Sequence, residues 1–222
     1  MIISPILISV KVALTATVFT LIIGLFFARV LTKYSFRGKD VLEALIVLPM
    51  VIPPSITGYG LLMLIGRRGI LGRLLYNTFG ISIVFTWAAA VLAAVIVSIP
   101  LMYQSCKSAF LNINHKYEDA ARTLGASERR IFWTVTLPLA LPGILSGVVL
   151  SFSRALGEFG ATLMIAGNIP GKTETIPLAV YFAVERGDTR TANILMMVVL
   201  CFSFTLIYGL NLWLKRKTNS IG

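Results

Sequence analysis

The sequence predicts an all-α integral membrane protein with about five transmembrane helices and a cytoplasmic pair of short helices. Three observations lead there. Of 222 residues 57% are hydrophobic and only 13% are charged, about half the roughly 25% usual in soluble domains. Five charge-free runs, 12–28, 44–66, 81–106, 131–153 and 191–214, approach or exceed the roughly 17–25 residues that a spanning helix needs. Between the third and fourth runs lies one strongly polar insert with helical periodicity. Backbone polar groups in lipid must be satisfied internally, so the apolar runs are helices.

Taken in order, the spans fall near 8–30, 43–66, 81–104, 138–160 and 191–214 of a single domain, 1–222. The first has no basic residues ahead of its apolar core and no small-residue cleavage site, so it is expected to stay as a span. The second contains Pro49, Pro53 and Pro54. Each removes a backbone donor and crowds the preceding turn. Broken helices at membrane depth are tolerated against protein or a water-filled cavity, which makes LPMVIPPSITGYG a candidate pathway wall. Between the fourth and fifth spans the chain offers two apolar pieces too short to cross, parted by Pro170 and Gly171. They are expected as the tail of the fourth span, a turn, and a partly embedded outer helix.

A net charge of +11 would suggest nucleic acid in a soluble protein, but membrane proteins collect Lys and Arg in cytoplasmic loops. Twelve basic residues fall after the first, third and fifth spans, and seven fall on the opposite side. The bias places the N-terminus outside, the C-terminus inside, and the polar insert in the cytoplasm. Two cysteines and one histidine build neither a disulfide framework nor a metal site. No nucleophile–base pair or phosphate loop is visible, so no catalysis or bound cofactor is expected of this chain.

The insert spans 113–137. Ile113, Tyr117, Ala120, Ala121 and Leu124 recur at helical spacing, with Lys116, Glu118, Asp119 and Arg122 on the other face. Gly125 stands where a helix C-cap needs positive φ. Ser127 is the N-cap of a second short helix, with Glu128 in its first turn. Ile131, Phe132 and Val135 continue an apolar face to Pro138. Such a pair suits a groove on a partner protein and equally the lipid surface, and periodicity leaves both open.

Asp119-Ala120-Ala121, Gly125 and Val135-x-Leu137-Pro138 resemble the EAA loop of ABC importer permeases, with matching spacing. Asp119 stands where that pattern usually has Glu, and Val135 where it has Ile. SFRGKDVLEALIVLPMVIPPSITGYG, LPLALPGILSGVVLSFSRALGEFGAT and GNIPGKTETIPLAVY are similar to the molybdate-type permeases of that family. The resemblance implies the type I ABC importer permease fold. It implies a homodimer of permeases in the cytoplasmic membrane, two cytoplasmic ATPase subunits that bind ATP and Mg, and an extracytoplasmic oxyanion-binding protein. Asp119, Ala120, Ala121, Gly125, Val135, Leu137 and Pro138 would couple to the ATPase. Tungstate, sulfate or thiosulfate is the rival cargo. A channel or membrane scaffold that needs no ATPase is the rival of another kind.

On that resemblance Pro53, Pro54, Ser55 and Thr57 become candidates for the pathway wall. The hydroxyls either meet a passing oxyanion or bond back to the backbone. Arg154 and Glu158, four apart on the fourth span, share a face about 22 Å from its cytoplasmic start. They form a mutual ion pair, or Arg154 contacts the anion, and weak contact suits a step that must release its cargo. Arg67, Arg68 and Arg73, on the outer side, either guide an oxyanion or binding protein or are ordinary solvated charge. Gly147, Gly157 and Gly160 are expected at close helix approaches.

Overall fold

The computed structural model describes residues 2–219, and every regular element among them is a helix. The chain runs through α1 (Ile3–Lys33), α2 (Lys39–Val51), α3 (Pro54–Ile65), α4 (Ile70–Phe79) and α5 (Trp87–Leu111). The insert follows as α6 (His115–Thr123) and α7 (Glu128–Ile131). α7 passes through a π-helical turn, Phe132–Thr136, straight into α8 (Leu137–Leu156). Then come α9 (Gly160–Ala166), α10 (Ile176–Glu185) and α11 (Thr189–Asn219). Lys215, Arg216 and Lys217, part of the charge bias, lie outside the residues whose side chains are described.

α5 is the centre post. Of its most apolar stretch 67% is buried, against 11% for α11. Small residues bring its neighbours close, as expected where helices associate by packing rather than by hydrophobic collapse. Ala13, Ala16, Ala90, Ala93 and Ala94 are wholly buried in one cluster joining α1 to α5. A Cβ at Gly24 would stand 2.5 Å from Met102 Cγ, and one at Gly147 would stand 2.8 Å from Ser105 Cβ. α1, α5 and α8 therefore form a tight three-helix core. The outward residues Leu14, Val18, Ile22 and Phe26 of α1 stay exposed at helical spacing, a face for lipid or a partner chain.

The second expected span is not one kinked rod. α2 and α3 are bent by 118°. Ile52 and Pro53 both precede a proline and both adopt extended ψ, near 136°, the restriction that proline imposes on the residue before it. Pro54 then starts α3 at the position where a missing N–H costs nothing. α2 runs on past Pro49 to Val51, so the double proline makes the break. α1, α5, the helix of Glu128–Leu156 and the first part of α11 are each long and apolar enough to cross a membrane, and the bent pair is the fifth candidate.

Other boundaries shift. α5 starts at Trp87 rather than 81, because Thr86 caps it through Oγ1 to the Ala89 N–H, and it runs on to Leu111. The fourth span ends at Leu156, and 160–166 forms a separate short helix tucked against α3. There a Cβ at Gly58 would meet Ala161 Cα at 2.6 Å, and one at Gly160 would meet the Ser55 nitrogen at 3.0 Å. Gly157 is not a close-approach glycine: its nearest neighbour is its own turn's Ser153 carbonyl, and it ends α8. α4 was not expected at all. It is amphipathic and leaves Ile70, Leu74 and Phe79 exposed.

Candidate functional site

The insert folds as the helix–glycine–helix that its sequence encodes. Asn114 caps α6 by accepting from the Lys116 N–H at 3.0 Å. Gly125 closes it with φ +80°, and the Ala126 N–H reaches back to the Ala121 carbonyl at 3.1 Å, a Schellman-type end. The Ser127 hydroxyl accepts from the Arg130 N–H at 3.4 Å. The π turn has its own cause. The Leu137 N–H donates to the Phe132 carbonyl, five residues back, immediately before Pro138, which cannot donate. π turns inside α-helices are frequent at functional sites.

The division into faces needs correction. Glu118, expected on the solvated face, is 8% exposed. Its Oε1 accepts from the Thr136 hydroxyl at 2.5 Å and lies 3.9 Å from Arg29 Nη1. Its Oε2 lies 3.7 Å from Arg122 Nη2 and 3.8 Å from His115 Nδ1. Ile113, expected on the outward apolar face, is buried among α1, α5 and α8 residues. Tyr117 and Ala120 remain exposed, Ala121 is half-buried, and Leu124 is 88% exposed. An acid turned inward and large apolar side chains turned out are the reverse of a free amphipathic helix. The inward acid is stabilised by charge-assisted hydrogen bonds.

Asp119 is exposed and held by its own helix, with Arg122 Nη1 at 2.6 Å. Arg122 also donates from Nε to Glu128 at 2.6 Å, across the Gly125 turn. These hydrogen bonds, to Glu128 first and Asp119 second, hold the Arg122 pKa above its usual value. Lys33 donates to the other Glu128 oxygen at 2.9 Å. The Arg29 guanidinium also lies 5.0 Å from the Phe132 ring. The end of α1 is thus tied to both short helices. Val135 and Leu137 are half-buried beside them, and Pro138 is exposed.

At the opposite end of α8, Arg154 Nη1 lies 2.9 Å from Glu158 Oε2, and Glu158 is 2% exposed. The pair expected from the sequence is present, but not along one helix. Glu158 sits beyond the end of α8, and its Oε1 caps α9 by accepting from the Ala161 N–H at 2.8 Å. Gly160, at the start of α9, abuts Pro54 and Ser55. The proline break and the ion pair, separate in sequence, therefore meet through α9. Thr57 bonds back to the Pro53 carbonyl at 3.5 Å, the blander of its two readings, while the Ser55 side chain is exposed. Arg67, Arg68 and Arg73 are exposed and form no ion pair among the described residues. The Arg67 guanidinium lies 5.3 Å from the Tyr76 ring.

Sequence reasoning missed the Arg29–Lys33–Glu118–Glu128–Thr136 cluster. One signal was available: Arg29 and Lys33 are four apart at the end of a span, on the same side as the insert.

Residues 20–216 match the family of binding-protein-dependent transport system inner membrane components. The chain is 45% identical over 213 residues to the molybdenum transport system permease protein ModB of Escherichia coli (strain K12), covering 95% of this chain and 92% of that one. It is 42% identical to the ModB of Haemophilus influenzae, with 97% and 94% covered. Against the sulfate transport system permease protein CysT of Salmonella typhimurium it is 36% identical, with 90% and 72% covered. Among solved structures, the methionine ABC transporter MetNI in inward-facing conformations aligns with a TM-score of 0.74 at 16% identity, over 97% of this chain and 95% of that one. A bacterial ABC transporter for the acidic polysaccharide alginate aligns with a TM-score of 0.77 at 13% identity, over 96% and 79%. At such identities these two structures speak for the fold alone.

Proposed function

The chain belongs to the family of binding-protein-dependent transport system inner membrane components, and from that premise we propose that it carries molybdate inward across the cytoplasmic membrane. The observation that carries the cargo is the 45% identity to a molybdenum permease along nearly the full length of both chains. Sulfate, the cargo named for a relative at 36% identity, is the second reading. An ATPase and a binding protein belong with a permease of this family. The finer assembly proposed is a permease homodimer on two ATPase subunits that hold ATP and Mg, with the N-terminus outside and the C-terminus cytoplasmic.

In this reading the exposed Tyr117 and Leu124 seat in a groove of the ATPase. Asp119, Ala120, Ala121 and Gly125 shape the surface that docks. Movement of that surface passes through the Glu118–Thr136 hydrogen bond and through Val135, Leu137 and Pro138 into α8. The helix from Glu128 to Leu156 has 29 residues, about 43 Å at roughly 1.5 Å per residue. It acts as a lever between the ATPase and the far end of the span. There Arg154 and Glu158 hold α9 against Pro54 and Ser55, so tilting α8 shifts the Pro53–Pro54 break and the exposed Ser55 beside it. Thr57, already bonded to the backbone, serves the wall rather than the anion. Arg67, Arg68 and Arg73 supply outer positive charge to the incoming anion or its binding protein, acting mainly on association rate.

The test is uptake by proteoliposomes holding the permease with its ATPase and binding protein. ATP-driven uptake of labelled molybdate, with sulfate a poor competitor, is the expected result. Uptake of sulfate in preference overturns the cargo, and uptake without the ATPase overturns the importer.

A further inference from the structure

Two hollows near the insert share one wall. The larger, about 670 Å³, lies between Gln104, Ser105, Ser108 and Asn112 of α5 and Gly143 and Ser146 of α8. The smaller, about 420 Å³, lies on the other side, with Glu43 and Val47 of α2. Gln104, Ser108 and Asn112 border both. They stand at i, i+4 and i+8, so they form one ridge along α5 and its cap, and all three are exposed. Amides and hydroxyls facing hydrocarbon are costly, so this ridge belongs against water or protein, on the side where Tyr117 of α6 also lines the larger hollow.

The chemistry of the walls is specific. No Asp, Glu, Lys or Arg lines the larger hollow among the described residues. In the smaller, Lys107 and Glu43 are paired with each other, so neither presents a free charge. Ser146 spends its hydroxyl on the Pro142 carbonyl at 3.1 Å. The Ser108 hydroxyl accepts from Asn112 at 3.4 Å and the Gln104 amide donates to Met50 Sδ at 3.7 Å, while the Ser108 proton, the second Asn112 N–H and the Ser105 hydroxyl have no hydrogen-bond partner among the described residues. At about 30 Å³ per water the larger hollow holds roughly twenty waters, room for an anion that keeps part of its hydration.

We propose that this groove is the inward exit segment of the translocation path, where a tetrahedral oxyanion rests on neutral hydroxyl and amide donors before release. The inference rests on the oxyanion-importer reading above and adds to it the place of exit. Neutral donors replace some of the anion's water without holding it, which a transit site requires. A free cation there would retain the cargo.

The experiment places single thiols in the groove. Ser108→Cys and Asn112→Cys are made in a Cys201→Ser background, since Cys201 is exposed and Cys106 is buried. Val18→Cys, on the exposed face of α1, is the control. Each is assembled with its ATPase and binding protein in proteoliposomes and treated from the ATPase side with a membrane-impermeant sulfonate thiol reagent. Expected are labelling at 108 and 112 that added molybdate slows, loss of most molybdate uptake once they are labelled, and unchanged uptake for the control. Full labelling with uptake retained, or no labelling at either position, overturns the exit groove while the importer stands. Assemblies that move sulfate but not molybdate overturn the cargo alone, provided sulfate replaces molybdate as the anion that protects the thiols. Assemblies that move neither anion overturn the importer reading and the exit groove together.

Discussion

The two ends of α8 both rest on carboxylates, and they do so in opposite ways. At the insert, three acids share contacts with Arg29, Lys33 and Arg122: Glu118 meets Thr136, Arg29 and Arg122, Asp119 meets Arg122, and Glu128 meets Arg122 and Lys33. Most of these groups are partly exposed. At the far end Arg154 and Glu158 form the one ion pair found there among the described residues, with Glu158 at 2% exposure. The first arrangement is redundant and water-screened, so each ion pair adds little. The second has no spare ion-pair partner among the described residues, and removing Arg154 leaves the buried Glu158 charge uncompensated. Under the coupling proposed above, the insert that docks is held by many exposed contacts, and the far end of α8 by one ion pair and the Glu158 cap of α9.

That contrast is open to direct attack. The largest effect is expected from Arg154→Ala, which strands the buried Glu158 carboxylate. A loss of about 3–5 kcal/mol, read as thermal unfolding of the detergent-solubilised complex, is the expected outcome. A loss under about 1 kcal/mol would erase the difference between the two ends. Next, Glu118→Ala leaves the buried Thr136 hydroxyl without its acceptor and should cost about 1–3 kcal/mol. Glu118→Gln keeps an oxygen for that hydroxyl and should recover at least half of the loss in the same melt. Gly125→Leu comes third. Nothing lies within 4 Å of a Cβ there, so the cost is the φ of +80° alone, about 1–2 kcal/mol. Membrane insertion and complex assembly should survive while ATP-dependent uptake falls, and full uptake would remove the glycine turn from the coupling path. The smallest effect belongs to Lys33→Ala. Its surface pair with Glu128 is worth about 0–1 kcal/mol, and salt should shrink that further. A comparison of wild type and variant at low and high ionic strength reads it.

Most of the fold was legible because hydropathy and backbone chemistry leave few options in lipid. Five apolar runs had to be helices, Pro53 and Pro54 had to break one of them, and Gly125 had to end the first helix of the polar insert. The Arg154–Glu158 pair was legible for the same reason, since charge at that depth needs a partner. What escaped was whatever depended on a distant segment. Glu118 reads as surface on its own helix, and only Arg29 and Thr136, from other elements, turn it inward. The angle of the proline break was out of reach too, since 118° reflects α9 packing against Ser55 and Gly58 as well as the prolines.

By itself, then, the sequence determined the helices, their breaks and the helix–glycine–helix insert, because each follows from local dihedral limits and from solvation by lipid. The tertiary structure alone decided which side of α6 faces the protein, that Glu158 caps α9 rather than lying along α8, and that Gln104, Ser108 and Asn112 overlook a groove. The physical reason is common to all three. A polar side chain's free energy is set by the partner it finds, and those partners lie on other helices, brought near only by the packing of α1, α5 and α8.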